Sequence, residues 1–189
     1  MSALAEGPVL ETERLILRPP EERDLPGFYA LMRDPVAAEH IGGVMDEAQT
    51  WRSFCALVGH WRLRGYGFFS VEERRTGAWI GRIGPWFPHL WPAPEVGWSI
   101  LREHWGKGYA PEAGAACVDY AFDTLGWDRV IHCIAPANAN SKAVARKLGS
   151  RFDGEHATLA GLGPGIEVEI WGQDRADWNA RRSRVLRAG

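Results

Sequence analysis

Short runs enriched in apolar residues, several of them alternating with polar ones, predict strands over residues 15–18, 67–73, 78–83, 95–100, 129–135, 152–158 and 166–171. Helical spacing predicts helices over 24–32, introduced by Asp24 as a cap, and over 50–64, stopping at Gly65. Two more follow, from Pro111 to about residue 125 and over 141–148, the second capped by Asn140. The turn Arg74-Arg75-Thr76-Gly77 joins two of the strands as a hairpin. From Pro85 to Pro94 the chain reads PWFPHLWPAP, too rich in proline to continue a central strand, and a loop is expected there. Glu112, Asp119 and Asp123 form one polar stripe on the otherwise apolar helix after Pro111.

The segment Trp105 to Ala113, WGKGYAPEA, carries the first chemical signal. Two glycines flank a lysine just before a predicted helix, whose first N–H groups lack intrahelical partners. Glycine lets backbone approach a ligand closely, and the helix dipole favours negative charge at that end. A phosphate or pyrophosphate is the expected ligand. Proline stands where a dinucleotide fingerprint needs its third glycine, and Lys107 is followed by glycine rather than the Ser or Thr of a P-loop.

The run resembles the acyl-CoA loop R/Q-x-x-G-x-G/A of the GCN5-related N-acetyltransferases, with Gly108 and Ala110 in the last two fixed places. Trp105 stands where most of that superfamily has Arg or Gln, and WGKGYA-x-EA is similar to the ribosomal-protein N-terminal acetyltransferase branch. Three further blocks resemble that branch in the same order: ETERLILRP from Glu11, Arg33-Asp34-Pro35-Val36, and Asn138, Ser141 with Lys147-Leu148-Gly149. The resemblance implies the family's mixed α/β fold, a mostly antiparallel central sheet flanked by helices. It also implies acetyl-CoA as co-substrate and transfer of its acetyl group to a primary amine, a protein N-terminus or a small amine.

At 189 residues, 46% of them hydrophobic, the chain is expected to form one domain with a short Arg-rich C-terminal tail. A net charge of −2 leaves no field strong enough for nucleic acid. Arg175, Arg181, Arg182, Arg184 and Arg187 are read as a solvated, frayed tail. The first ten residues have no signal-peptide pattern and no apolar run is long enough to span a membrane, so a cytoplasmic, soluble protein is expected, with a homodimer compatible. Cys55, Cys117 and Cys133 contain no C-x-x-C, and the six histidines form no H-E-x-x-H, so no metal site is expected. His132 is read as a satisfied core histidine, and Trp51, Trp61, Trp79, Trp127 and Trp178 as core or rim residues.

Acetyl transfer to an amine needs a held donor, a free amine, a hydrogen bond to the developing oxyanion and a proton for the leaving thiolate. The backbone of Trp105, Gly106, Lys107, Gly108, Tyr109 and Ala110 is expected to hold the pyrophosphate. By resemblance, the pantetheine arm lies along Trp98, Ser99 and Ile100, where a backbone N–H near Trp98 or Ser99 polarises the thioester. Asn138 and Ser141 match family positions at the pantetheine or sulfur end. Glu95 is the expected base, sharing a strand face with Gly97 and Ser99, at a place where the branch often has an acidic residue. The tyrosine that many members use as acid is replaced: seven residues after Asn138 stands Ala145, and Ser141 is the expected substitute, with a relayed water or unassisted thiolate departure as the alternatives. Trp86 and Trp91, in the proline-rich stretch, are expected to wall the acceptor site. A catalytically silent CoA-binding module is the alternative that the missing tyrosine and Trp105 keep open.

Overall fold

The computed structural model describes residues 7–159 and 165–185. Its strands are β1 (Leu10–Glu11), β2 (Leu15–Arg18), β3 (Phe69–Glu73), β4 (Trp79–Trp86), β5 (Glu95–Ile100), β6 (Arg129–Ile134), β7 (Arg151–Leu159) and β8 (Ile166–Asp174). They form one sheet in the order β1-β2-β3-β4-β5-β6-β8-β7, and every neighbouring pair is antiparallel except β5–β6. The helices are α1 (Leu25–Arg33), α2 (Pro35–Ala38), α3 (Glu47–Arg64), α4 (Tyr109–Asp119), α5 (Ala139–Leu148) and α6 (Arg175–Val185). The expected mixed, mostly antiparallel sheet with flanking helices is what forms.

Alternation along β4 and β5 divides the core. Ile83, Val96 and Ile100 pack with Ala113 and Cys117 of α4, whereas Trp86 packs with Phe68, Phe28 and Leu57 on the side of α1 and α3. Among the described residues, no helix is long and apolar enough to cross a membrane.

Several expected boundaries move, some of them for a local reason. Helix α3 starts at Glu47 rather than residue 50, because Asp46 and Gln49 form a capping box ahead of it. Asp24 makes no side-chain bond to α1; its carboxylate is taken up by Arg18, by Ser70 Oγ and by the Glu21 N–H. Helix α4 begins at Tyr109, with Pro111 in its first turn, and continues as a wider π turn over Tyr120–Thr124. Asn138, not Asn140, caps α5: its Oδ1 accepts the Ser141 N–H at 3.0 Å.

The proline-rich stretch is not all loop. Strand β4 runs through Pro85 to Trp86, which pairs with Glu95. Its partner β3 ends at Phe69, opposite Ile83, so beyond that point β4 has an open side where proline's missing N–H breaks no ladder. Nor are the C-terminal arginines a frayed tail as far as Val185. Trp178 of α6 is fully buried, with Nε1 donating to Asp119 Oδ1 at 2.8 Å, and Arg182 reaches Asp123. Asp119 and Asp123 of the polar stripe therefore receive α6; Arg187 lies outside the described residues. Trp61 and Trp178 are core residues as expected, but Trp51 is 47% exposed.

Candidate active site

The loop before α4 is shaped by two glycines in the left-handed region, Gly106 at φ +74° and Gly108 at φ +82°. Gly108 stands at the N-cap position and has no side chain to cap the helix, so the first-turn N–H groups face outward without a side-chain acceptor of their own. Arg14 braces the loop from the N-terminal end of the chain: Nε donates to Glu112 Oε2 at 2.6 Å and Nη1 to the Lys107 carbonyl at 2.9 Å, while the guanidinium lies over the Tyr109 ring. Trp105 ties the other end, its Nε1 donating to the Ile100 carbonyl at 2.7 Å.

Beside this loop the sheet opens. Strand β5 pairs with β4 over six positions but with β6 only at Glu95, opposite Ile131. The carbonyls of Pro94 and Val96 face β6, accepting from the Ile131 N–H at 2.9 Å and from His132 Nδ1 at 2.6 Å. Strand alternation then turns the backbone N–H and carbonyl of Trp98 to the same side, where β6 has already parted. Helix α5 fills the far wall of this gap. Ser141 Oγ accepts from Trp98 Nε1 at 3.2 Å, which leaves the serine proton free to be donated.

Gap and loop form one cleft of about 430 Å³. Trp98, Ser99, Ile100, Trp105, Gly106, Gly108, Tyr109, Ala110, Asn138 and Ser141 all line it, having come from β5, the glycine loop and α5. Lys107 does not; its carbonyl is turned to Arg14. The cleft also has a wall that sequence reasoning missed, the segment Val36 to Ile41, which includes His40. The Arg33-Asp34-Pro35-Val36 turn was visible in the sequence, but nothing in the sequence showed it reaching across to the glycine loop.

Glu95, Trp91 and Trp86 form a second group. Glu95 is 7% exposed and does not line the cleft. Its Oε2 accepts from Trp91 Nε1 at 2.6 Å and its Oε1 from the Cys133 N–H at 3.1 Å. Burial pushes this carboxyl up to about 7, against the opposing pull of the two Cys133 groups, Trp91 and the charge of Arg82. Trp86, the cross-strand partner of Glu95, is half-buried, stacked on His60 with centroids 4.3 Å apart and packed on Phe68. It stands in a strand rather than the expected loop, with much of its surface already committed to the core.

His132 is the satisfied core histidine expected. Nδ1 donates to Val96 and Nε2 accepts from Ser150 Oγ at 2.8 Å; burial pushes the ring down to about 4, so it is neutral at physiological pH.

A family model described as an acetyltransferase (GNAT) domain matches residues 14–151. The Bacillus subtilis protein YkkB is 34% identical over 151 residues, 76% of this chain and 85% of its own length. YoaA of the same organism, named an uncharacterized N-acetyltransferase, is 30% identical over 155 residues, 78% of this chain and 85% of its own. The crystal structure of an acetyltransferase from Agrobacterium tumefaciens superposes with a TM-score of 0.77 at 33% identity, covering 90% of this chain and 96% of that one.

Proposed function

The chain belongs to the GNAT acetyltransferase family and is an N-acetyltransferase that uses acetyl-CoA, and from that premise we propose that it acetylates a primary amine by direct attack in a ternary complex. The observation that carries this reading is the gap between β5 and β6, with the Trp98 backbone on one side, Ser141 on the other and the glycine loop at its end. The residues fit the donor. The left-handed glycines leave the start of α4 open to a pyrophosphate, and a Cβ at Gly108 would stand 3.2 Å from Arg14 Nη2.

The Trp98 N–H is aimed to polarise a thioester carbonyl placed in the gap. Ser141 O–H is the group to protonate the leaving sulfur, because its oxygen is already engaged by Trp98. Glu95 takes the amine's proton, directly or through one water. Three protein donors leave the two oxygens at least one lone pair between them, and the raised pKa makes this carboxylate a base poised near neutral pH. Trp91 holds that carboxylate in place. Trp86 and Trp91 border the acceptor. On this reading residues 1–189 are one cytoplasmic N-acetyltransferase domain, and WGKGYAPEA supports its place beside the ribosomal-protein N-terminal acetyltransferases.

The test is incubation with acetyl-CoA and a panel of amino acids, polyamines and peptide N-termini, following thiol release and product mass. An acetylated amine formed one-for-one with thiol, with intersecting initial-rate lines, is expected. Parallel lines, or thiol release without an acetylated amine, would overturn direct transfer.

A further inference from the structure

Arg82 is a half-buried cation that forms no ion pair among the described residues. It stands in β4 opposite Ser99 of β5 and Ser70 of β3, with its guanidinium 4.6 Å from the Phe68 ring centroid and 5.4 Å from that of Phe28. Its Nε is sealed from solvent and donates to nothing among the described residues, and the only carboxylate whose charge it feels is Glu95, with which it forms no ion pair. Arg18, on neighbouring β2, shows how the same fold treats a structural arginine: Asp24 and Glu72 take up its N–H groups at 2.5–3.1 Å. Burial pushes Arg82 down to about 10. Partial burial of an unpaired ion is unfavourable, and an apolar side chain of similar length would fill the place without that penalty. A group from outside the chain can supply the anion that the described residues do not.

Glu95 indicates what. It shares a face of β5 with Gly97 and Ser99, and Arg82 joins that face as the cross-strand partner of Ser99. Between them lies Phe68, whose ring covers Gly97, 3.0 Å from where a Cβ would sit, and also underlies the guanidinium. Phe68 is thus the wedge that keeps the two charges apart. One face of the sheet presents a carboxylate and a guanidinium, near enough to influence one another yet unjoined, and Ser99 connects that face to the donor cleft. The complement of such a pair is a zwitterion.

We propose that Arg82 binds a carboxylate carried by the acceptor, and that the acceptor is a small amino acid, its carboxylate on Arg82 and its amine directed to Glu95. This rests on the amine-acetylation reading above and names the substrate class of that site. Arginine suits the role because its planar fork meets a carboxylate with two parallel hydrogen bonds.

The experiment compares α-amino acids with their α-carboxamides and with the decarboxylated amines, in wild type, Arg82→Met and Arg82→Lys, following thiol release. At least one amino acid is expected to exceed its carboxamide by about ten- to a hundredfold in kcat/KM, the contribution of a charge-assisted pair. Arg82→Met should bring that preference within about twofold and Arg82→Lys should keep part of it, with the acetyl-CoA KM unchanged. Should Arg82→Met fail to fold, the wild-type ranking and Arg82→Lys decide. Carboxamides or simple amines used as well as the acids, or a preference that survives in Arg82→Met, would overturn the proposal and leave amine acetylation standing. Thiol release with no member of the panel, in protein that still binds CoA, would overturn amine acetylation itself and this proposal with it.

Discussion

Replacing Glu95 by glutamine separates the base from its surroundings with little change of shape. The carboxyl is 7% exposed and raised from about 4.5 to about 7, mainly by burial. The folded state therefore holds this proton more tightly than the unfolded chain does. The stability associated with it is fully present below about pH 4.5 and is lost as pH rises toward and through 7, a total of about 3 kcal/mol. Glutamine does not titrate, so the variant lacks that loss. It carries a fixed cost instead: its amide oxygen can accept from Trp91 Nε1 or from the Cys133 N–H, but not from both, and one unmet donor costs about 1–3 kcal/mol. The two effects nearly cancel at pH 8, whereas the change between pH 5 and pH 8 contains only the titration. Urea unfolding at both values should show wild type losing about 2–3 kcal/mol relative to Glu95→Gln on going to the higher pH. Kinetically, wild-type kcat/KM should rise with pH through about 7, and the variant should lose that limb and about 10²–10⁴-fold of the plateau. A variant with the same pH limb and the same plateau as the parent would refute Glu95 as the base; unfolding curves that keep a constant offset would refute its raised pKa.

Gly108→Val should cost at least about tenfold in CoA affinity by calorimetry, since the residue needs φ +82° and its Cβ would press on Arg14 Nη2; unchanged affinity in folded protein counts against the loop as the pyrophosphate site. Ser141→Ala should lower kcat by about ten- to a hundredfold with the acetyl-CoA KM nearly constant, and Ser141→Thr should restore part of it; equal kcat in all three would remove Ser141 as the acid. Trp91→Phe removes a donor that pulls Glu95 down, so the rising limb of kcat/KM should move to higher pH and the rate at pH 6.5 should fall about threefold; an unmoved limb would mean that this hydrogen bond does not tune the base.

Local chemistry was enough for much of the molecule. Gly65 ends α3 in the left-handed conformation and the glycines of WGKGYA adopt the positive φ that only glycine takes readily, because each depends on a residue and its near neighbours. Two of the mistaken readings had distant causes. Pro85 is tolerated in β4 because β3 happens to stop at Phe69, and α6 is held by Trp178 meeting Asp119 some sixty positions earlier. The candidate site divides in the same way. Gly108 could be picked out from its phosphate-loop signature, and Trp98, Asn138 and Ser141 from the family resemblance, one at a time. Their meeting in one cleft, the gap left where β6 departs from β5, and the wall contributed by residues 36–41 belong to the tertiary structure. Least legible of all was Arg82, one arginine in an alternating strand. No carboxylate pairs with it among the described residues, and an unmet charge exists only once folding has decided which groups surround it and how much water is left.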